Sequence, residues 1–417
     1  MNKLRMLLIA VLLISSFSLV YGQEKEQNFG ISFKGFVKLD AFFDSRQVVA
    51  AREGHLLFYP QGKDEGPNGD DINASPSYNM LAIQTRLAGT ITAPDAFGAK
   101  SSGYIEGEFF GHNNANVNEF RLRHAFVKLD WARTSLLFGQ YWHPMFVTQC
   151  YPGVVSFNTG MPMEAFSRNP QIRLTQKLGD NLNLIVAAMS QQDFVSSGPD
   201  GSSSKYLRNA VVPNLHAQLQ ATMNKNLFGA GVDYKMLKPS LENANGNKSS
   251  ETVSSMAGLA YTKLNFSKVT WKLEGVYGQN MTDHLMLGGY VRNGIKSDST
   301  EYDYIPTSNF AVWTELSGGS KTQLGLFLGY TENLGASEDI RASAAAYARG
   351  TNIKSVMRAA PRVVWNQGKT RLALELEYTS AAYADPEKAD AYDSKGKIKE
   401  TYSVSNIRVL FAAYVFF

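Results

Sequence analysis

The stretch that most constrains this chain is its last, residues 403–417, Ser-Val-Ser-Asn-Ile-Arg-Val-Leu-Phe-Ala-Ala-Tyr-Val-Phe-Phe. It has the length of a strand and ends on an aromatic residue. Counting back from Phe417 in steps of two gives Val415, Ala413, Phe411, Val409 and Ile407, a wholly apolar face. The other face carries Phe416, Tyr414, Ala412 and Leu410, then Arg408 and Asn406. Successive side chains of a strand point to opposite faces, so one face meets an apolar phase while the other turns polar. A soluble sheet can alternate in the same way. What decides is whether the rest of the chain does so too.

It does. Residues 29–47 put Ile31, Phe33, Gly35, Val37, Leu39, Ala41 and Phe43 on one face, and Lys34, Lys38, Asp40, Asp44 and Arg46 on the other. That exceeds the usual 3–10 residues of a soluble strand and suits a tilted strand protruding past a bilayer. The same reading places strands at 78–91, 101–112, 117–131, 135–142, 168–179, 181–192, 211–223, 226–237, 252–266, 268–280, 305–317, 320–332, 352–366, 369–381 and 401–417. Within 78–91, Leu81, Ile83 and Leu87 are read as outward, Gln84 and Arg86 as inward. A phase shift by Val127-Lys128-Leu129 points to a bulge. Hairpin-like turns at 179–181, 224–226, 265–268, 317–320 and 366–368 alternate with long polar loops at 193–210, 238–251, 281–304, 333–351 and 382–400. The expected fold is all-β, a transmembrane antiparallel β-barrel of about 16 strands with short periplasmic turns and long extracellular loops. The terminal strand resembles the closing strand of a Gram-negative outer-membrane barrel.

Other classes fall away on composition. Lys3 and Arg5 precede an apolar run at 6–14, and Leu19-Val20-Tyr21-Gly22 ends in a small residue, the pattern of a secretory signal over 1–22. Residues 23–417 contain no Pro-rich hinge or Ser/Gly tract and are read as a single barrel domain. No apolar stretch reaches the roughly 20 residues of a helical span. One cysteine, Cys150, excludes an internal disulfide. A net charge of +4 does not imply nucleic acid. Tyr104, Trp131, Trp142, Trp271, Tyr277, Trp313, Trp365 and Tyr378 are assigned to strand ends or outward faces, as an interfacial aromatic belt.

Residues 143–166 form the most apolar loop, rich in Pro, Met, Phe and Tyr. Folding into the lumen or packing at a subunit contact would each account for it. The first alternative makes it a candidate constriction loop.

Just before it lie Phe120-Arg121-Leu122-Arg123-His124-Ala125-Phe126-Val127-Lys128-Leu129 and Leu136-Leu137-Phe138-Gly139-Gln140-Tyr141-Trp142-His143-Pro144-Met145-Phe146. This pair resembles the "LRHAYxKL … GQTWSxF" hairpin of DcaP-like porins and their relatives among the phosphate- and pyrophosphate-selective porins. Gly35-Phe36-Val37-Lys38-Leu39-Asp40-Ala41-Phe42-Phe43-Asp44 is similar to that family's first strand. Tyr141 and His143 stand where the family has Thr and Ser. The resemblance implies a trimeric channel of the same strand number that admits small, often anionic, solutes.

Channels select ions through inward charges at their narrowest point. By alternation the pore-lining candidates are Lys34, Lys38, Arg86, Arg121, Arg123, Arg173, Arg358 and Arg362, with Glu106 and Glu108. Arg46, Lys177, Arg371 and Arg408 share the inward phase, as do Asp40, Asp44, Glu274, Glu375 and Glu377. Bases outnumber acids, and the planar fork of Arg suits carboxylate and phosphate. The expectation is an outer-membrane porin for passive diffusion of small hydrophilic solutes, preferring anions, as a homotrimer in outer-membrane lipid and without a cofactor. Two alternatives stand beside it. An outer-membrane barrel enzyme hydrolysing lipid calls for fewer strands and a Ser and His pair on the wall. A secreted glycan-binding β-protein calls for apolar faces packed in one core. No GxSxG, P-loop or dinucleotide fingerprint occurs, so no enzymatic role is expected. His55, His112, His124, His143, His216 and His284 form no HxH or HxxxH pair, and Asp70-Asp71 lacks EF-hand spacing, so no metal site is expected.

Overall fold

A computed structural model describes residues 29–297 and 299–417; the signal sequence expected over 1–22 lies outside the described residues. The strands are β1 (Gly30–Asp44), β2 (Ser77–Leu81, resuming as Arg86–Thr92), β3 (Lys100–Glu108), β4 (Arg121–Asp130), β5 (Thr134–Trp142), β6 (Arg168–Lys177), β7 (Leu182–Met189) and β8 (Asn214–Met223). They continue as β9 (Asn226–Leu237), β10 (Val253–Asn265), β11 (Val269–Gln279), β12 (Tyr302–Gly319), β13 (Thr322–Ala336), β14 (Ile353–Gln367), β15 (Thr370–Ala384) and β16 (Thr401–Phe416). Each pairs antiparallel with its sequence neighbours, and β1 pairs with both β2 and β16, which closes a 16-strand barrel. Every strand read from the alternation is present.

The alternation explains why the sheet closes where it does. Phe33, Val37 and Phe43 of β1, Leu324, Leu326 and Leu328 of β13, Leu372, Leu374 and Leu376 of β15, and Ile407, Val409 and Phe411 of β16 all face outward and are exposed. Soluble proteins do not expose apolar surface on this scale. In hydrocarbon it is required, and closure satisfies every strand's backbone within the barrel. The apolar faces thus do not pack into the common core that a soluble β-protein needs. The location is the outer membrane. Tight connections occupy one end. Between β8 and β9 the turn is only Asn224-Lys225, both with positive φ (49° and 72°), the signature of a two-residue type I′ hairpin.

Two irregularities shift the expected faces. In β4, Glu106 pairs with His124 but Gly107 pairs with Leu122, so Arg123 is the extra residue of a bulge. Arg123 and His124 are therefore both buried on the inside, and the phase change is complete before Val127 turns outward. In β2 the ladder breaks after Leu81. Tyr78 and Met80 face outward before the break and Leu87 after it. Leu81 and Ile83, expected outward, instead pack on the interior apolar cluster. Of the expected belt aromatics, Tyr277, Trp365 and Tyr378 are exposed, but Trp313 is buried inside and Tyr104 and Trp142 line the lumen.

Several loops carry structure that a polar reading did not reveal. The first long loop folds a hairpin, Val48–Ala51 with Leu56–Pro60, into the interior. Gly288–Ile295 pairs with the start of β12 and with Ala345–Arg349. A short helix spans Lys205–Ala210.

At the β1–β16 seam, Asp44 lies opposite Arg408. The guanidinium donates from Nε (2.9 Å) and Nη2 (2.6 Å) to the two carboxylate oxygens, and Asn406 Nδ2 adds a third bond at 2.7 Å. Both ions are fully buried, so removing one leaves the other uncompensated. Asp44→Ala is expected to cost about 3–5 kcal/mol, read as a lower urea midpoint for loss of the folded band in detergent. An unchanged midpoint would show that the seam does not depend on this pair.

Candidate functional site

Loop 143–166 leaves β5 and runs into the barrel, where Met145, Val147, Cys150, Phe157, Met161, Met163 and Phe166 are buried. An apolar loop in a polar lumen still carries a polar backbone, and that backbone holds it. Gly153 N–H donates to Glu315 of β12. Val155 and Ser156 N–H donate to the two oxygens of Glu375 of β15, at 2.7 and 2.9 Å. Asn158 Nδ2 donates to Glu377, at 2.8 Å. The loop carbonyls accept in turn: Tyr151 O from Lys272 (2.8 Å), Val155 O from Lys38 (3.1 Å) and Met161 O from Arg358 (2.5 Å). A Cβ on Gly153 would lie 2.8 Å from Arg362 Nη2 and 3.1 Å from Glu315 Oε1, so glycine lets the chain approach this wall. The hairpin of the first loop packs on the other side. Phe157 stacks on Phe110 at 4.1 Å and lies 5.3 Å from His55, while Arg358 donates to Phe58 O at 2.8 Å.

The wall across the lumen carries an arginine ladder. Glu108 Oε1 accepts from Arg121 (3.0 Å) and lies 2.6 Å from Arg123 Nη1; its Oε2 accepts from Arg86 (3.0 Å). Glu106 Oε1 accepts from Arg123 Nε at 2.6 Å, and Tyr104 donates to its other oxygen at 2.7 Å. Arg168 pairs with Asp193 at 2.6 Å.

Between this ladder and the loop lies a cavity of about 680 Å³ towards the short-turn mouth. Six cations line it, Lys34, Arg86, Arg123, Lys272, Arg362 and Arg371, against two carboxylates, Glu106 and Glu315. Arg362 gives one nitrogen to Glu315 (3.2 Å), while its buried Nε and Nη1 have no partner among the described residues. Arg371 donates to Asn366 at 2.9 Å. Tyr104, Phe126, Tyr141, Trp142, Tyr151 and Tyr414 supply an aromatic surround.

Five of the ten residues picked from the sequence, Lys34, Arg86, Arg123, Arg362 and Glu106, are on this cavity. The other five are not among its lining. Lys38 is buried against Asp40 at 2.9 Å and under Val155. Arg121 and Glu108 are covered within the ladder. Arg358 lies beneath both inserted loops. Arg173 is turned to Trp142 O and Gln171. All five point inward as expected, but long side chains reaching partners on other segments leave the water. Lys272 and Glu315 are the lining charges that sequence reasoning missed. Lys272 shares the phase of Glu274 and was legible. Glu315 shares the phase of Trp313, whose assignment to the belt hid it.

Glu164, the one acid of the loop, is fully buried beside the carboxyl of Glu274. Burial, then that neighbour, holds its pKa well above the ordinary carboxylate value, so it stays protonated where free carboxyls ionise. For an acid raised in the folded state, stability is complete below the ordinary value near 4.5 and falls as pH rises towards the folded pKa. Melting in detergent is expected to drop as pH rises above the ordinary carboxylate range. Glu164→Gln is expected to flatten that fall, by about 1.4 kcal/mol for every pH unit that separates the folded pKa from the ordinary one. Equal slopes for the two proteins would remove Glu164 from this role.

No family model matches the chain, and no curated protein sequence does. Solved structures do match its fold. The outer membrane channel DcaP of Acinetobacter baumannii superposes with a TM-score of 0.69 at 18% identity, over 95% of this chain and 100% of that one. An anion-selective porin from Comamonas acidovorans gives 0.56 at 10% identity, over 94% and 100%. OmpT of Vibrio cholerae, an outer membrane protein in its trimer form, gives 0.55 at 9%, over 93% and 99%. The chain has the porin fold.

Proposed function

We propose that this barrel is a passive outer-membrane diffusion channel that prefers small anions and is narrowed by loop 143–166. One observation carries the reading. The loop's amides and Asn158 donate hydrogen bonds to Glu315, Glu375 and Glu377, while the cavity beside it keeps six cations against two carboxylates. Fixed positive charge in a narrow aqueous passage raises the local concentration of anions and excludes cations. Among the lining cations Lys34 and Arg371 reach the water of the cavity, and the planar guanidinium of Arg371 suits carboxylate and phosphate. The solutes are therefore small hydrophilic molecules bearing such groups, moving down their own gradient.

Likeness in fold to the DcaP channel, together with the hairpin motif of β4 and β5, supports kinship with DcaP-like and phosphate-selective-type porins. Likeness to a trimer-form outer membrane protein supports assembly in threes. The hydrolase alternative called for a smaller barrel, and sixteen strands weigh against it.

In a planar bilayer with a salt gradient, purified protein is expected to open in triplets with a reversal potential of the anion sign. Arg362→Gln with Arg371→Gln is expected to lower the anion-to-cation permeability ratio by up to about fivefold per charge, the equivalent of about 1 kcal/mol for a close contact in water. A cation-signed reversal potential in the unmodified protein, or insertion without conductance, would overturn this function.

A further inference from the structure

The histidines give no local metal motif, yet the fold gathers three of them. His143 opens loop 143–166, His216 lies on β8 and His284 lies in the loop after β11. Asp233 of β9 sits among them, and all four residues are buried. His143 Nε2 and His216 Nδ1 each lie 3.3 Å from the same oxygen, Asp233 Oδ2. The rings of His143 and His284 meet edge to face at 4.5 Å. His143, Asp233 and His284 each offer a ligand atom, all within 4.8 Å of one another.

Hydrogen bonding leaves this group short of a cation. His216 Nε2 faces Gln218 Oε1 at 3.1 Å, and that oxygen only accepts, so the ring proton sits on Nε2. The Nδ1 lone pair then points at a carboxylate oxygen. His284 Nδ1 has no partner among the described residues. Around the group stand Asp233, Asp283 and a single ammonium, Lys235, which bonds Asp283 and, at 2.6 Å, Asn280 O. With neutral imidazoles the pocket carries one net negative charge away from water. A buried negative charge without a matching counter-charge needs a cation beside it. Tetrahedral ligands about 2.0–2.1 Å from a metal stand about 3.4 Å apart, which the 3.3 Å separation of His143 Nε2 and Asp233 Oδ2 matches.

We propose that His143, Asp233 and His284 bind one divalent first-row transition metal ion, zinc being the type, with His216 backing Asp233 from outside. Imidazole with a carboxylate suits that class of ion. Asn214 Nδ2 already holds the second oxygen of Asp233 at 2.7 Å, and Gln218 holds the outer nitrogen of His216, as outer partners of a metal site do. Binding through His143 Nε2 moves that ring's proton to Nδ1 and gives up both the 3.2 Å contact from the Met145 amide and the 3.1 Å bond from Nε2 to Asn214 Oδ1. The metal would pin both ends of the inserted loop, because His143 N–H donates to Ser167 O and Phe166 N–H donates to His284 O. This site is separate from the cationic cavity, and its test does not depend on ion selectivity.

Because the ligands are buried, the full chain is refolded into detergent with either EDTA or cobalt(II) or zinc, and free metal is then removed. Expected are one metal ion retained per chain, a tetrahedral cobalt ligand-field absorption in the visible, and a higher melting temperature than the EDTA-refolded protein. His284→Ala and Asp233→Asn are expected to weaken retention by more than tenfold, while His112→Ala at the exposed histidine leaves it unchanged. Should either variant fail to fold, the unmodified protein decides alone. Refolded protein that keeps no metal and melts alike in both conditions overturns the site, and leaves a protonated imidazole as the counter-ion of Asp233. Equal retention in a folded His284→Ala protein overturns it as well.

Discussion

Everything distinctive inside this barrel depends on the hydrogen bonds that loop 143–166 makes with the carboxylates of the opposite wall. Buried carboxylates must be paired or hydrogen-bonded to remain ionised. Here Glu375 is met by two consecutive backbone amides and Glu315 by a third. Glu375 takes its hydrogen bonds from these neutral amides, whereas Glu315 is also paired with Lys272 and Arg362, and Glu377 with Arg358. Lys38, Lys272 and Arg358 in turn donate to the loop's carbonyls. An almost uncharged loop thus controls the sign of the passage beside it.

The arginine ladder on β2, β3, β4 and β6 works from the other side of the same cavity. Glu106 and Glu108 are each shared among several guanidinium groups, and the bulge at Arg123 turns that residue and His124 inward together. Charge-assisted, partly bidentate pairs of this sort are strong and directional. They fix Arg86 and Arg123 at the cavity edge without neutralising the whole group. A diffusion channel needs this combination, with charges fixed in place yet not wholly matched by counter-charge.

Much of this was legible from alternation. Sixteen strands and the inward phase of β1, β14, β15 and β16 follow from which residues are apolar at period two, whereas the apolar composition of loop 143–166 left lumen and subunit contact as alternatives. What could not be read is which inward charges stay wet. Lys38 and Arg358 are placed on their strands like Lys34 and Arg371, but segments distant in sequence, the first-loop hairpin and loop 143–166, cover them. Phase was lost where the ladder is irregular, at the break in β2 that turns Leu81 and Ile83 inward. It was lost also where an aromatic was assigned by type, as with Trp313, which concealed Glu315. The meeting of His143, Asp233 and His284 is likewise a product of topology, since the three come from well-separated segments.

The most direct measurement exploits the composition of residues 147–163, which include no Asp, Glu, Lys, Arg or His. A chain with this neutral segment replaced by a short Gly-Ser link would be reconstituted, and its reversal potential in a salt gradient compared with that of the unmodified protein. Expected are a larger conductance and a shift towards cations, because Glu315, Glu375 and Glu377 lose their hydrogen-bond partners and face the water. A wider channel with an unchanged anion preference would contradict the central claim, since the loop would then act by size alone.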